Sequence, residues 1–212
     1  MKRTISIGGV MLAWLASAGS LRARTITLTA EDCDQAAVIS SENPRLSWSG
    51  YMPAPGIYST YTQMNLYGHH AILVRFPLDK IPKDQRITKA EWTIPTSYVA
   101  GKAQFNVHRL LAEWGTGVCH QYRQTFPKKL QWTTAGAKGV ASDRANQVSA
   151  VFRYDKAGSQ TVDVTQDIEL WYTGAVPNRG WILSLEPDTA IYLSSPYPGG
   201  ADWKLQITFE PK

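Results

Sequence analysis

Apolar and polar residues alternate strictly near the end of the chain. Trp203, Leu205, Ile207 and Phe209 fall on one face, and Lys204, Gln206 and Thr208 on the other. A period of two is that of a β-strand with one buried side. Arg24 to Ala30 (RTITLTA) repeats the pattern with Ile26 and Leu28 inward, and Ala103 to Leu111 repeats it with Phe105, Val107 and Arg109 opposite Gln104, Asn106 and His108. Ala71 to Phe76 (AILVRF) is different. It is an apolar run broken only by Arg75, rich in β-branched and aromatic residues and too short for a helix, which predicts a strand buried in the core. Two X-Pro steps, Phe76-Pro77 and Ile81-Pro82, then hold the chain out of the helical region. A polar turn at Lys83-Asp84-Gln85 leads into a second strand, Ile87 to Thr96, expected to end near Pro95.

Shorter strands are expected at Ala36 to Ser40, Gln160 to Val164, Trp181 to Glu186 and Ile191 to Ser195. One helix is expected, Gln166 to Thr173. Thr165 is placed to cap it, Asp167 and Glu169 suit the positive end of its dipole, and Gly174 is a natural stop. Eight to ten strands, one helix and no internal repeat make an all-β protein. The 16 Gly and 12 Pro, with few long helical periods, agree with many turns. Trp92, Trp181 and Trp203 lie within strands and are assigned to the core.

The first residues add a location. Lys2 and Arg3, an uncharged stretch from Ile5 to Leu15 and then small residues have the layout of a secretory signal peptide. The apolar run is too short for a membrane span. Ala16-Ser17-Ala18 and Leu21-Arg22-Ala23 both offer cleavage points. The second, which ends a 1–23 leader just before the first strand, is preferred, leaving 24–212 as one sandwich-sized domain. Loss of Lys2, Arg3 and Arg22 takes the 22 basic residues to 19 against 17 acidic ones, and the formal charge from +5 to +2. Export and a near-neutral mature charge argue against a nucleic-acid partner. The mature chain is expected to be secreted, periplasmic or on the cell surface, with no membrane attachment once the leader is removed. Its two cysteines, Cys33 and Cys119, form an even count in an exported chain. A bridge between them would close a long loop worth about 4–5 kcal/mol, and two separate buried thiols are the competing arrangement.

Two stretches depart from the strand pattern. Ser41 to Gly68 is punctuated by Pro44, Gly50, Pro53, Pro55 and Gly56 and holds Trp48, Tyr51, Tyr58 and Tyr61, an aromatic loop region too long for mere connection. Gly115 to Gln160 carries Arg123, Lys128, Lys129, Lys138, Arg144, Arg153 and Lys156 against Asp143 and Asp155. It alone is +5, and the rest of the mature chain is −3.

Several segments resemble, in order, those of the DNRLRE-type domain, a secreted carbohydrate-binding module. They are the pair of strands from His69 to Thr96 with its Phe-Pro-Leu-Asp and Ile-Thr-x-Ala-x-Trp runs, Asn106 to Leu110 with Glu113-Trp114, and Gln131-Trp132-Thr133-Thr134. Val162 to Thr165 with Ile168 and Trp171, Asn178 to Leu183, and Trp203 to Phe209 follow. The longer gap between Trp114 and Trp132 and the enlarged loop from Trp48 to Tyr67 depart from that family's pattern. The resemblance implies a jelly-roll-like antiparallel β-sandwich with one short helix, binding polysaccharides that include acidic ones such as alginate.

Sugars are recognised by flat aromatic faces and planar polar groups, and a uronate carboxylate by Arg or Lys. Trp48, Tyr51, Tyr58 and Tyr61 with Arg123, Lys128, Lys129 and Lys138 supply both kinds of group and are the expected ligand-binding residues of a non-catalytic module for a uronate-type polysaccharide. Signatures of hydrolases, zinc peptidases and phosphate-binding loops are missing, and no catalytic residue is assigned. His69 and His70 precede a strand and are expected to face opposite ways, which disfavours joint metal binding. Asp163 and Asp167 are explained by the helix start. No metal site or cofactor is implied, Ca²⁺ being left open, as is the oligomeric state. Two other readings stand beside the module. One is a polysaccharide lyase or hydrolase on the same sandwich, a lyase needing a base, a proton donor and a cation of the kind His70, Arg75, Tyr122 and Arg123 could furnish. The other is a structural protein of an extracellular assembly.

Overall fold

The computed structural model describes residues 22–29, 32–46, 63–185, 190–194 and 203–212. The expected leader, apart from its last two residues, lies outside these, as do Trp48, Tyr51, Tyr58 and Tyr61.

Thirteen strands and one helix are found among the described residues: β1 (Arg24–Leu28), β2 (Gln35–Ser40), β3 (Gln63–Tyr67), β4 (His70–Arg75), β5 (Gln85–Val99), β6 (Ala103–Arg109), β7 (Tyr122–Gln124), β8 (Leu130–Gln131), β9 (Ala150–Tyr154), β10 (Gly158–Asp163), α1 (Thr165–Tyr172), β11 (Trp181–Leu185), β12 (Ala190–Ser194) and β13 (Lys204–Pro211). Every named strand pairing is antiparallel. One sheet runs β1-β13-β5-β10, with β12 and β3 extending it past the end of β13. The other runs β2-β4-β11-β6-β9. Successive strands change sheet from β4 to β5 to β6 and from β9 to β10 to β11. Apart from the added β2, β3 and β12, this is the strand order of a jelly roll, and the fold is an all-β sandwich with one short helix.

The sheets close on an aromatic centre. Trp92 of β5 stacks on Trp181 of β11 at 4.8 Å, with Trp203 and Phe152 edge-on at 5.5 and 5.7 Å. Rings of this size each remove roughly 150–250 Å² from water, and these four are fully buried. The inward residues of β13, Leu205, Ile207 and Phe209, complete the layer as their alternation requires.

A second apolar cluster lies on the outer face of the β2-β4-β11-β6-β9 sheet. Ala37, Ile39, Ala71, Leu73 and Ile182 of the sheet pack there against Leu110, Trp114, Val118, Trp132 and Ala137 from the long β6–β9 connection. Neighbouring positions Val38, Ile72, Val74, Trp181 and Leu183 point into the main core. That is why β4 reads as a continuous apolar run: both of its faces are covered. The connection is a packed insert. Its organiser is Asp143, whose side chain is buried and accepts backbone N–H groups from Thr133 (2.9 Å), Thr134 (2.9 Å) and Gly139 (3.0 Å). The Asp143 carbonyl accepts those of Leu111 and Ala112.

Four expectations are corrected. β5 passes through Pro95, because β13 ends its pairing at Thr93 and β12 begins at Thr96, so the missing proline N–H falls in the gap between them. Thr165 is the first helical residue, not the cap. Its hydroxyl accepts Ala90 N–H at 2.8 Å, and Asp163 accepts Thr165 N–H at 2.8 Å in its place. β3, β7, β8 and β9 form outside the strands that the sequence predicts. Cys33 and Cys119 are not bridged but are separate buried thiols. The Cys33 thiol donates to the Gln35 and Arg75 carbonyls, each at 3.1 Å, at the entry to β2, and burial pushes it up to about 12. Cys119 sits in the insert, where its sulfur accepts Tyr122 N–H at 3.4 Å.

Candidate functional site

A cleft of about 230 Å³ opens where the insert meets the rim of the sandwich. Its floor is apolar, from Ile39 and Ala71 to Ile182 and Leu185, with Ser184 among them. One wall is the turn between β3 and β4 (Gly68, His69, His70), and the other is the insert (His120, Gly136, Lys138, Arg144). Two cations and three imidazoles therefore face a space that no carboxylate lines among the described residues. The Glu42 carboxylate, outside the lining, meets His69 Nε2 at 3.0 Å. The volume lies below the roughly 300–1,000 Å³ of ordinary small-molecule pockets, so it suits one sugar unit or one acidic substituent.

Backbone constraints set the insert wall. Gly136 has φ +79°, its N–H meets the His120 carbonyl at 2.6 Å, and a Cβ placed on it would lie 2.8 Å from His120 Nε2. Glycine thus lets the imidazole rest against the chain. Ala137 and Ala141 hold positive φ (55° and 60°) around Lys138 and before Arg144, a conformation costing of order 1–3 kcal/mol each that tends to collect at working sites. Asp143, one residue before Arg144, fixes this loop.

Electrostatics agree with an anionic occupant. Burial, and then the Lys138 ammonium, push His120 below its ordinary value of 6.5, so it is neutral at pH 7. Burial also lowers Arg144, which stays charged. His120 Nδ1 and Arg144 Nε are buried without hydrogen-bond partners, two of six such side-chain atoms among the described residues. Orphaned groups of this kind cost about 1–3 kcal/mol each and call for an explanation. A larger groove of about 400 Å³ between β6, β9 and β10 is less suited. It contains Asp155, and its Arg153 already donates to Gln104 at 3.1 Å.

Of the four expected ligand residues that are described, only Lys138 lies in the cleft, and Trp48, Tyr51, Tyr58 and Tyr61 lie outside the described residues. Arg123 donates to the Glu113 carbonyl at 2.7 Å, Lys128 is exposed, and Lys129 Nζ stands 4.3 Å from the centre of the Tyr122 ring. These three belong to the β7–β8 ribbon, which leaves the cleft wall just after His120. The four residues named for a lyase do not converge. His70 begins β4 and lines the cleft. Arg75 ends the same strand, about 17 Å away at strand rise, paired with Asp34 at 2.7 Å and facing Glu113 at 3.8 Å. His69 and His70 do not diverge as expected, because His69 is in the turn rather than the strand. Their rings meet edge to face at 4.3 Å on the same cleft. No group of three or more His, Cys, Asp or Glu among the described residues is placed to hold a metal ion.

Asp163 and Asp167 are structural. Asp163 is lowered by its hydrogen bonds to Thr165. Asp167 is raised by burial and is held between Arg109 (2.9 Å) and Trp181 Nε1 (2.6 Å). His120 and Arg144 were missed in the sequence. The signal that could have found them is the pair of short Gly-bearing runs, Ala135-Gly136-Ala137 and Gly139-Val140-Ala141, where a basic insert turns tightly.

No family model matches the chain, and no curated protein matches it. No helix among the described residues is long and apolar enough to cross a membrane.

Proposed function

We propose that this chain is an exported module that binds an acidic, uronate-type polysaccharide without cleaving it, and that the cleft at Lys138 and Arg144 takes an acid-bearing unit. The observation that carries this is the lining itself: two cations and a neutral imidazole over an apolar floor, with no carboxylate lining it among the described residues. An apolar floor suits the carbon face of a pyranose, and an Arg and a Lys suit its carboxylate. The strand and tryptophan pattern of the sequence resembles that of DNRLRE-type domains, which favours the same reading.

A lyase reading has one observation in its favour. A neutral His120 beside two cations would suit abstraction of a proton next to a neutralised carboxylate. One experiment separates the two. The mature chain is mixed with alginate, polygalacturonate and neutral glucans, and both binding and new unsaturated ends are followed at low and high salt. The module binds the acidic polymers, weakens as salt rises and produces no new ends. Salt-independent binding to neutral polymers would refute it, and unsaturated ends would make the protein a lyase.

A further inference from the structure

The β7–β8 ribbon has no part in the cleft, yet its surface suits the same ligand. From Arg123 to Lys138 the chain carries Arg123, Lys128, Lys129 and Lys138 and not one Asp or Glu. At the tip, Phe126 is 68% exposed and the next three residues, Pro127, Lys128 and Lys129, are exposed with it. A phenylalanine this open is unusual on a segment so firmly held. Arg123 donates to the Glu113 carbonyl, Thr125 N–H to Thr116 at 2.9 Å, Gly115 N–H to Arg123 at 3.0 Å and Cys119 N–H to Tyr122 at 2.8 Å. The ring is thus presented on a rigid mount, and a rigid contact loses little entropy on binding.

We propose that this tip is a second contact point for the polymer seated in the cleft, with Phe126 stacking on a sugar face and Lys128 and Lys129 meeting acid groups. The proposal rests on the acidic-polysaccharide reading above. Phe126 lies six positions after His120, at most about 20 Å at strand rise, so a single chain several units long can occupy both points. Charge selects the occupant: a run with four cations and no acid, beside an exposed ring, suits an acidic sugar chain. The two contacts act in series, because a chain held in the cleft presents its next units to the tip at high effective concentration.

The test is chain length. Alginate and polygalacturonate oligomers from disaccharide upward are titrated against the wild type, a Phe126→Ala, Lys128→Ala, Lys129→Ala triple variant, Phe126→Trp and Lys138→Ala. Wild-type affinity should rise in a step of at least about tenfold once the oligomer spans both points. The triple variant, altered only at exposed positions, should lose the step and keep disaccharide binding. Lys138→Ala should weaken short and long oligomers alike. The tryptophan variant should keep the step and shift its fluorescence with long oligomers only. Binding without a step, or a step that survives in the triple variant, overturns this proposal and leaves the cleft reading standing. No binding of either series at low salt overturns both.

Discussion

Replacing Asp143 by alanine removes the acceptor for three backbone N–H groups in one of the most buried positions of the insert, 1% exposed. Hydrogen bonds to a charged group contribute about 1.5–3 kcal/mol each; of the donors left behind, the Gly139 N–H is buried and those of Thr133 and Thr134 are partly so. The three are not additive, and part of the loss is returned because a buried carboxylate no longer has to be held. A net destabilisation of about 3–5 kcal/mol is therefore expected, at the upper end for a single substitution. Since these bonds hold only the insert, the loss should appear first as local opening. Hydrogen exchange at the amides of Thr133, Thr134 and Gly139 should accelerate far more than in β5 or β13. Urea unfolding followed by tryptophan fluorescence should report Trp114 and Trp132 before the central cluster. Asp143→Asn keeps one acceptor oxygen and should fall between. A loss under about 1 kcal/mol, the size of one ordinary hydrogen bond, or equal acceleration across the sandwich would refute the assignment of Asp143 as organiser.

Three further outcomes follow from the geometry. Gly136→Ala should cost about 1–2 kcal/mol for its left-handed backbone alone and push the His120 ring aside, lowering both melting temperature and polymer affinity. Unchanged values would show that the cleft wall is not shaped by this glycine. His108 and His120 are both held below 6.5 by burial first, with Arg144 adding for His108 and Lys138 for His120. The unfolded chain therefore binds more protons than the folded one just below that value. Stability should be fully present above about pH 6.5 and decline as pH falls through the folded values. A His108→Gln, His120→Gln double variant should show a flatter decline in urea midpoints between pH 7 and 5, and an equal slope would contradict this. Finally, thiol titration should find both cysteines unreactive in the native protein and free in denaturant, with no change in melting temperature on adding reductant. Absent thiols in denaturant would restore the bridge.

The parts of the fold legible in the sequence are those whose burial is one-sided or complete over a short run. β13 alternates because only one face meets the core, and β4 is a solid apolar block because both faces do. What hid the reason for that block is distance. The residues covering its outer face, Trp114, Val118 and Trp132, lie in a basic segment whose charge suggests a solvated loop, and β9 is lost in the same segment. Pro95 misled because a strand break is the usual meaning of a proline, whereas here two strands share one edge of β5 and leave a gap. Of the cleft, Lys138 was legible from charge alone. His120 and Arg144 stand 24 residues apart and share a wall only because Gly136 admits the imidazole and Asp143 folds the loop between them. The strand rule that sends His69 and His70 to opposite faces stops one residue short of His69, because β4 begins at His70.

If an acidic polysaccharide is held at the insert wall of the cleft, reversing the charge there with Lys138→Glu should release it. The side chain is exposed, so the fold should survive reversal of its charge, and near-unchanged urea unfolding would verify that. Binding to alginate and polygalacturonate should then fall by at least about tenfold at low salt, or 1.4 kcal/mol, with the difference from wild type shrinking as salt rises. Equal affinity of the variant and the wild type for every acidic polymer bound would contradict the placement of the ligand in this cleft.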